Sequence, residues 1–292
     1  MGVSLNNLGL TLAAERRPAE AEPRYRRALG IYEQRAEANR RNIGTTLENL
    51  GDLLAGQARH EEARPVYERS LAAREATLGP EHADTGRVIN KLAQSHTSLG
   101  SHEAVEPLLK RYLGLRERAL GSDHVDIASI LDDLASAYHD RKRFAEAEPL
   151  RRRALEVRER ALGPDHKYVG VSLHNLAWLL QVEGRAAEAE PLYVRALAIA
   201  EGNGLADDPE VAGTRHALGR VYFAQERFAE AEPLLARAVG VYEKIHGREH
   251  QDYVNALEAL ALAQRGLGRR KEAFSGFEQV LAARARAWSA AP

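Results

Sequence analysis

The chain has 292 residues, 44% hydrophobic and 28% charged, which is enough apolar material for a packed core and too much for a disordered chain. Its 41 Lys and Arg nearly cancel 42 Asp and Glu, so bulk charge selects neither nucleic acid nor an anionic membrane as a partner. The absence of cysteine excludes a disulfide framework, thiolate zinc ligands and a cysteine nucleophile, and is compatible with a reducing cytoplasm, the expected location.

In chain order, Met1 to Asn6 carries neither the basic nor the apolar segment of a signal peptide, and no later apolar run approaches the ~20 residues needed to span a bilayer. From there a 42-residue period takes over. Leu8, Leu50, Leu92, Leu134, Leu176, Leu218 and Leu260 keep it, as do Pro23, Pro65, Pro107, Pro149, Pro191 and Pro233, with Ser275 in the seventh place. Small residues at Ala21, Ala63, Val105, Ala147, Ala189, Ala231 and Ala273 share the register. So do the bulky Tyr25, Tyr67, Leu109, Tyr193, Leu235 and Phe277, with Arg151 as the exception. The expected units are about 1–42, 43–84, 85–126, 127–168, 169–210, 211–252 and 253–292, forming one domain with no room for a separate catalytic one.

Within the fifth unit Leu173, Leu176, Ala177 and Leu180 mark one face of a first helix, helix A. Glu183-Gly184-Arg185 interrupts it, and Ala189, Tyr193, Ala196, Leu197 and Ala200 mark a second, helix B. Pro191 falls near the start of helix B, where a missing N–H costs least. Between units stand Leu78-Gly79-Pro80-Glu81-His82, Leu120-Gly121-Ser122-Asp123-His124 and Leu162-Gly163-Pro164-Asp165-His166, helix stops of the Gly-Pro kind. Glu37 to Arg40 replaces the first of these linkers, and Gly202 to Pro209 remodels the fifth.

The pattern Leu173-x-x-Leu176-Ala177-x-x-Leu180-x-x-x-Gly184, followed by Ala189-x-x-x-Tyr193-x-x-Ala196, resembles the tetratricopeptide repeat family over the whole chain. Spellings such as Ser172 to Ala177 and Glu188 to Tyr193 resemble its 42-residue kinesin light chain type, although the heptad segment of a complete kinesin light chain is missing. The resemblance implies an all-α fold, a right-handed superhelix of seven helix-turn-helix repeats. It also implies that helix A lines a concave groove and helix B the outer face.

The candidate groove residues are then the helix A positions outside the core pattern. Immediately before the repeated leucine come Asn7, Asn49, Lys91, Asp133 and Asn175; two residues after it come Asp52, Gln94, Ser136, Trp178 and Arg220; five before it stands Arg87. An asparagine amide can donate to and accept from an extended peptide, or it can tie neighbouring helices together; the sequence leaves both open. Trp178 offers a large apolar surface suited to an interface anchor, or else packs in the core. Arg87 and Lys91 stand one repeat before Asp132 and Asp133, a pattern that fits either a ligand of mixed charge or ion pairs between repeats.

His82, His124, His166 and His250 lie a whole repeat or more apart, too far to share one metal ion, and are expected to cap or pack against helix ends. The basic clusters Arg24 to Arg27, Arg141 to Arg143 and Arg151 to Arg153 are mixed with glutamates and read as a solvated face. The recurring Glu-Ala-Glu of helix B suits a helix N-terminus rather than acid–base chemistry. No phosphate-binding loop, dinucleotide fingerprint, His-Glu-x-x-His or nucleophile elbow is present. The expectation is a non-enzymatic scaffold with no cofactor and no metal, binding a protein or peptide partner rather than nucleic acid or membrane. Two alternatives stand beside it: a structural solenoid that forms homo-oligomers through open ends, and the sensor part of a larger signalling protein.

Overall fold

The computed structural model describes residues 1–289, and among these every regular element is an α-helix. The helices come in seven A/B pairs: α1 (Gly2–Ala14) with α2 (Pro18–Glu33), α3 (Ala36–Gly56) with α4 (His60–Leu78), α5 (Ala83–Ser98) with α6 (His102–Leu120), α7 (Val125–Asp140) with α8 (Phe144–Leu162), α9 (Lys167–Val182) with α10 (Ala186–Gly202), α11 (Pro209–Ala224) with α12 (Phe228–His246), and α13 (Gln251–Gly266) with α14 (Arg270–Ser289). They form two compact units, Met1–Leu150 and the chain from Arg151 onward.

The turn from helix A to helix B is the same in every repeat. One residue adopts left-handed backbone, at Arg16, Ala58, Gly100, Lys142, Gly184, Glu226 and Gly268. The next N–H closes back on the carbonyl five residues earlier, as from Arg17 to Leu12 (2.9 Å), Arg59 to Leu54 (3.0 Å) and Arg185 to Leu180 (2.9 Å). This satisfies the carbonyls that a helix end would otherwise leave open. The repeated proline is the sixth residue of its helix, as in Pro18–Glu33 and His60–Leu78, where it is exposed and forgoes a single backbone bond.

Linkers between repeats are built on the histidines. His82, His124, His166 and His250 are N-caps whose Nδ1 accepts the backbone N–H two residues on, at 3.1, 3.2, 3.2 and 3.3 Å. In the remodelled fifth linker Asp208 does the same work, accepting from Glu210 N at 2.8 Å. In the first, Glu37 to Arg40 is helical, so α3 runs 21 residues where the helix A of later repeats has 16.

Packing follows the period. The small residues from Ala21 to Ala273 and the bulky Tyr25, Tyr67, Leu109, Tyr193 and Leu235 are buried. So is the repeated leucine everywhere except Leu8, which is 44% exposed where Leu50 is 2%, because no helix pair in the structure precedes α1. Helix A and helix B approach closely: a Cβ on Gly51 would lie 2.5 Å from the Tyr67 ring.

A charged clamp joins successive repeats along helix B. Arg59 pairs with Glu62 of its own helix and Glu22 of the preceding repeat, both at 2.7 Å. Arg143 joins Glu146 and Glu106, and Arg227 joins Glu230 and Glu190. Arg269 reaches Glu232 at 2.5 Å. The first Glu of the Glu-Ala-Glu motif thus serves its own helix terminus and the second serves the next repeat, a role the spacing of 37 residues conceals. In the third repeat Ser101 replaces the arginine, and 37 residues earlier Arg64 replaces the glutamate, so both halves of the clamp are lost together.

Candidate functional site

In the first unit several candidate groove residues are held by partners within the fold. Asn49 Nδ2 donates to Asn6 Oδ1 at 3.0 Å, tying α3 to α1, while Asn7 is exposed beside it. Glu48, buried in α3, accepts from Arg74 of α4 (2.5 Å) and from Arg87 and Lys91 of α5 (both 2.8 Å). Lys91 also reaches Asp52 (2.6 Å), and Asp52 accepts from the Tyr67 hydroxyl (2.8 Å). Arg87 further pairs with Asp84 at 2.9 Å. Burial alone would raise the Glu48 carboxyl, but hydrogen bonds from Arg87 and Lys91 and the charges of Lys91 and Arg74 hold it at about 2. Arg87, Lys91 and Asp52 therefore carry a network between repeats. Gln94 and Asp133 are exposed and Ser136 is half-buried.

The residue two before the repeated leucine is polar in all seven units, Asn6, Glu48, Asn90, Asp132, His174, His216 and Glu258, a column of which the sequence pattern points only to Asp132. In two repeats its partner sits 26 residues later on helix B of the same repeat, Arg74 for Glu48 (2.5 Å) and Arg284 for Glu258 (2.8 Å), whereas Asn6 and His174 also meet helix A of the next repeat, at Asn49 and Thr214. The signal was a polar residue at every repeat inside an otherwise apolar face.

In the second unit the picture differs. On α9, Val171, Asn175, Trp178 and Val182 fall at helical spacing on one face; Trp178 is 40% exposed and Asn175 half-buried. Two cavities adjoin this face. One, of about 400 Å³, is lined by Trp178, Gln181, Val182, His216, Ala217 and Arg220, with His174 and Gly213 at its edge. The other, of about 750 Å³, shares His174 and Gly213 and extends past Tyr168, Val171 and Asn175 toward α10 and the remodelled linker. Asn175, Trp178 and Arg220, chosen from sequence alone, thus lie on one local furrow between α9 and α11.

His174, which lines both cavities, and His216, which lines the smaller, are neutral at ordinary pH. Burial, reinforced by the charge of Arg151, lowers His174 to about 4. Burial and Arg220 likewise lower His216 to about 4 against the pull of Asp252. His174 Nδ1 lies 2.9 Å from Thr214 Oγ1 of α11, and its ring meets Tyr193 edge-on at 5.6 Å. Among the described residues no group of His, Asp or Glu is arranged to hold a metal ion, and no helix is long and apolar enough to cross a membrane.

Seven paired helices in a 42-residue period, one turn geometry and a polar-apolar furrow on the helix A side define a tandem helical-repeat protein of the kind that generally serves as a non-catalytic scaffold for protein interactions. The family described as "Tetratricopeptide repeat" matches residues 1–76, 42–118, 126–202 and 210–286, and the chain belongs to it. Among solved structures it is similar to nearly identical TPR-like repeats of kinesin light chain type from Podosopora anserina, at 28% identity over 71% of this chain and 98% of that one, TM-score 0.59. BtubC (BKLC) from P. vanneervenii shares the fold at 22% identity over 80% of this chain and 92% of that one, TM-score 0.64. The apo form of RapI shares it at 14% identity over 99% of both chains, TM-score 0.67. A comparison with curated protein sequences gave no match.

Proposed function

We propose that the chain binds an extended or helical segment of a partner protein along the helix A side of its second unit, without turnover. The observation that carries this reading is the stripe of exposed Val171, Trp178 and Val182 with half-buried Asn175 beside two adjoining cavities, one of them lined by Arg220. An indole exposed in a furrow buries much apolar area at little cost in rotamer entropy, and an amide one turn away can satisfy a peptide backbone. The first unit supports a different role for its own stripe, since Asn49, Asp52, Arg87 and Lys91 are engaged between repeats.

The test is a phage-displayed peptide selection against the whole chain, repeated with Trp178→Ala and Asn175→Ala after circular dichroism shows unchanged helicity. A shared motif that Trp178→Ala weakens at least tenfold is the expected result. Enriched peptides that bind both variants undiminished would move the site off this face.

A further inference from the structure

The larger of the two cavities is lined in part by Ala200, where the repeat lacks a large side chain. At the helix B position facing the polar column of helix A the seven repeats carry Tyr32, Arg74, Arg116, Arg158, Ala200, Tyr242 and Arg284. Every one is large except Ala200. Where the column holds an acid, at Glu48, Asp132 and Glu258, the facing residue is arginine; of the neutral residues, Asn6 and His216 face tyrosine and Asn90 faces Arg116. The fifth repeat pairs His174 with Ala200, and the large side chain that every other repeat places there, a tyrosine opposite the other histidine, His216, is absent.

The space is the one that ring would fill. A Cβ on Gly2 of α1 would lie 2.7 Å from the Tyr32 ring, and a Cβ on Gly44 of α3 would lie 3.3 Å from Arg74 Cγ. The counterpart in α9 is Gly170, which lines the cavity; the nearest atoms to its Cβ are Ile199 Cγ2 and the Ala196 carbonyl at 3.5 and 3.6 Å, as the counterparts Leu115 and Tyr112 are for Gly86 of the third repeat. In the sixth repeat the Tyr242 hydroxyl stands 3.4 Å from the Cβ position of Gly213, whose counterpart in the fifth is Val171, again on the cavity wall. The lining is mainly apolar, with Val171, Ile199, Leu205 and Val211, while the Asn175 amide offers a donor and an acceptor. At about 750 Å³ it falls within the ~300–1,000 Å³ of ordinary ligand pockets.

We propose that this cavity is an anchor pocket for an aromatic side chain of phenyl or phenol type carried by the bound segment, which takes the place that Tyr32 and Tyr242 hold in their own repeats. The proposal rests on the partner-binding reading of the α9 face and adds the chemistry of one anchor to it. A ring seated between α9, α10 and α11 leaves its chain running past Asn175 toward Trp178, along the stripe already described.

The probe is p-cresol, the tyrosine side chain alone, titrated into the isotope-labelled whole chain and followed by methyl and amide NMR. Saturable shifts are expected at Val171, Ile199, Val211 and Gly213. In Ala200→Tyr, which returns the missing ring, they are expected to vanish while helicity is kept; Ala200→Met serves as a second filler should the tyrosine misfold. Absence of saturable shifts up to the solubility limit of the probe, or binding that both fillers leave intact, overturns the anchor pocket. Running the same fillers against selected peptides separates the two readings. Peptides lost with Trp178→Ala but indifferent to Ala200→Tyr keep the furrow and refute the anchor. Aromatic-bearing peptides weakened at least tenfold by both support the two together.

Discussion

Glu48 gathers three cations from two helices into a site where it is itself almost wholly out of water, and that arrangement makes it sensitive to loss of charge. Glu48→Gln leaves the buried Arg74 with only Asp84, 3.5 Å away, and is expected to cost about 3 kcal/mol in urea unfolding, since removal of one partner strands the other charge. His174 and His216 make a second residue-scale prediction. Both ordinarily titrate near 6.5 and are held near 4 in the fold, so between those values the unfolded chain binds more protons than the folded one. Stability is therefore flat above about pH 6.5 and falls as pH drops toward 4, by at most about 1.4 kcal/mol per pH unit for each histidine. Thermal melts of wild type and of His174→Gln across this range check it: the variant is expected to show the shallower decline. Glu48 acts lower, its contribution fading only as pH falls from 4.5 toward 2.

At the scale of the helix, the caps and turns carry predictions of known sign. His124→Ala removes an acceptor from the start of α7 and is expected to cost about 1 kcal/mol, whereas His124→Asp should retain the cap, as Asp208 does in the fifth linker. Ala58, Lys142 and Glu226 occupy left-handed backbone that Gly100, Gly184 and Gly268 adopt without strain, so Ala58→Gly is expected to raise the melting temperature, by the equivalent of about 1 kcal/mol. The helices themselves were readable because a spacing repeated seven times outweighs any single ambiguous window; for the linker histidines the spacing argued only against a shared metal ion, leaving capping or packing, and the structure makes them caps. The polar column from Asn6 to Glu258 was not readable in the same way. A polar residue beside a core leucine looks like a solvent position until its partner 26 residues away is known. For the same reason Asn49 and Lys91 could be placed on the right helix but not assigned their partners, whereas the position of Trp178 and Arg220 on the α9–α11 furrow follows from the helix face alone.

For the molecule as a series of repeats, the clamp along helix B says which junctions are held and which are not. The junction between the second and third repeats lacks it, with Arg64 and Ser101 in place of glutamate and arginine, and there the Glu48 network joins α3 to α5 instead. Installing the missing pair as Arg64→Glu with Ser101→Arg is expected to stabilise the first unit by about 0.5 kcal/mol more than the two single changes sum to, measured as a double-mutant cycle in urea. The clamp also bears on how such a chain can change its length over generations. Each arginine reaches back 37 residues, across a junction, so an in-frame loss of one whole 42-residue block replaces the partner it finds. Loss of 211–252 would set Arg269 against Glu190 and preserve the match, while loss of 85–126 would set Arg143 against Arg64, two like charges at one seam. Unequal crossing-over is thus tolerated at some repeats and penalised at others, and the third repeat is the one this gene would discard least easily.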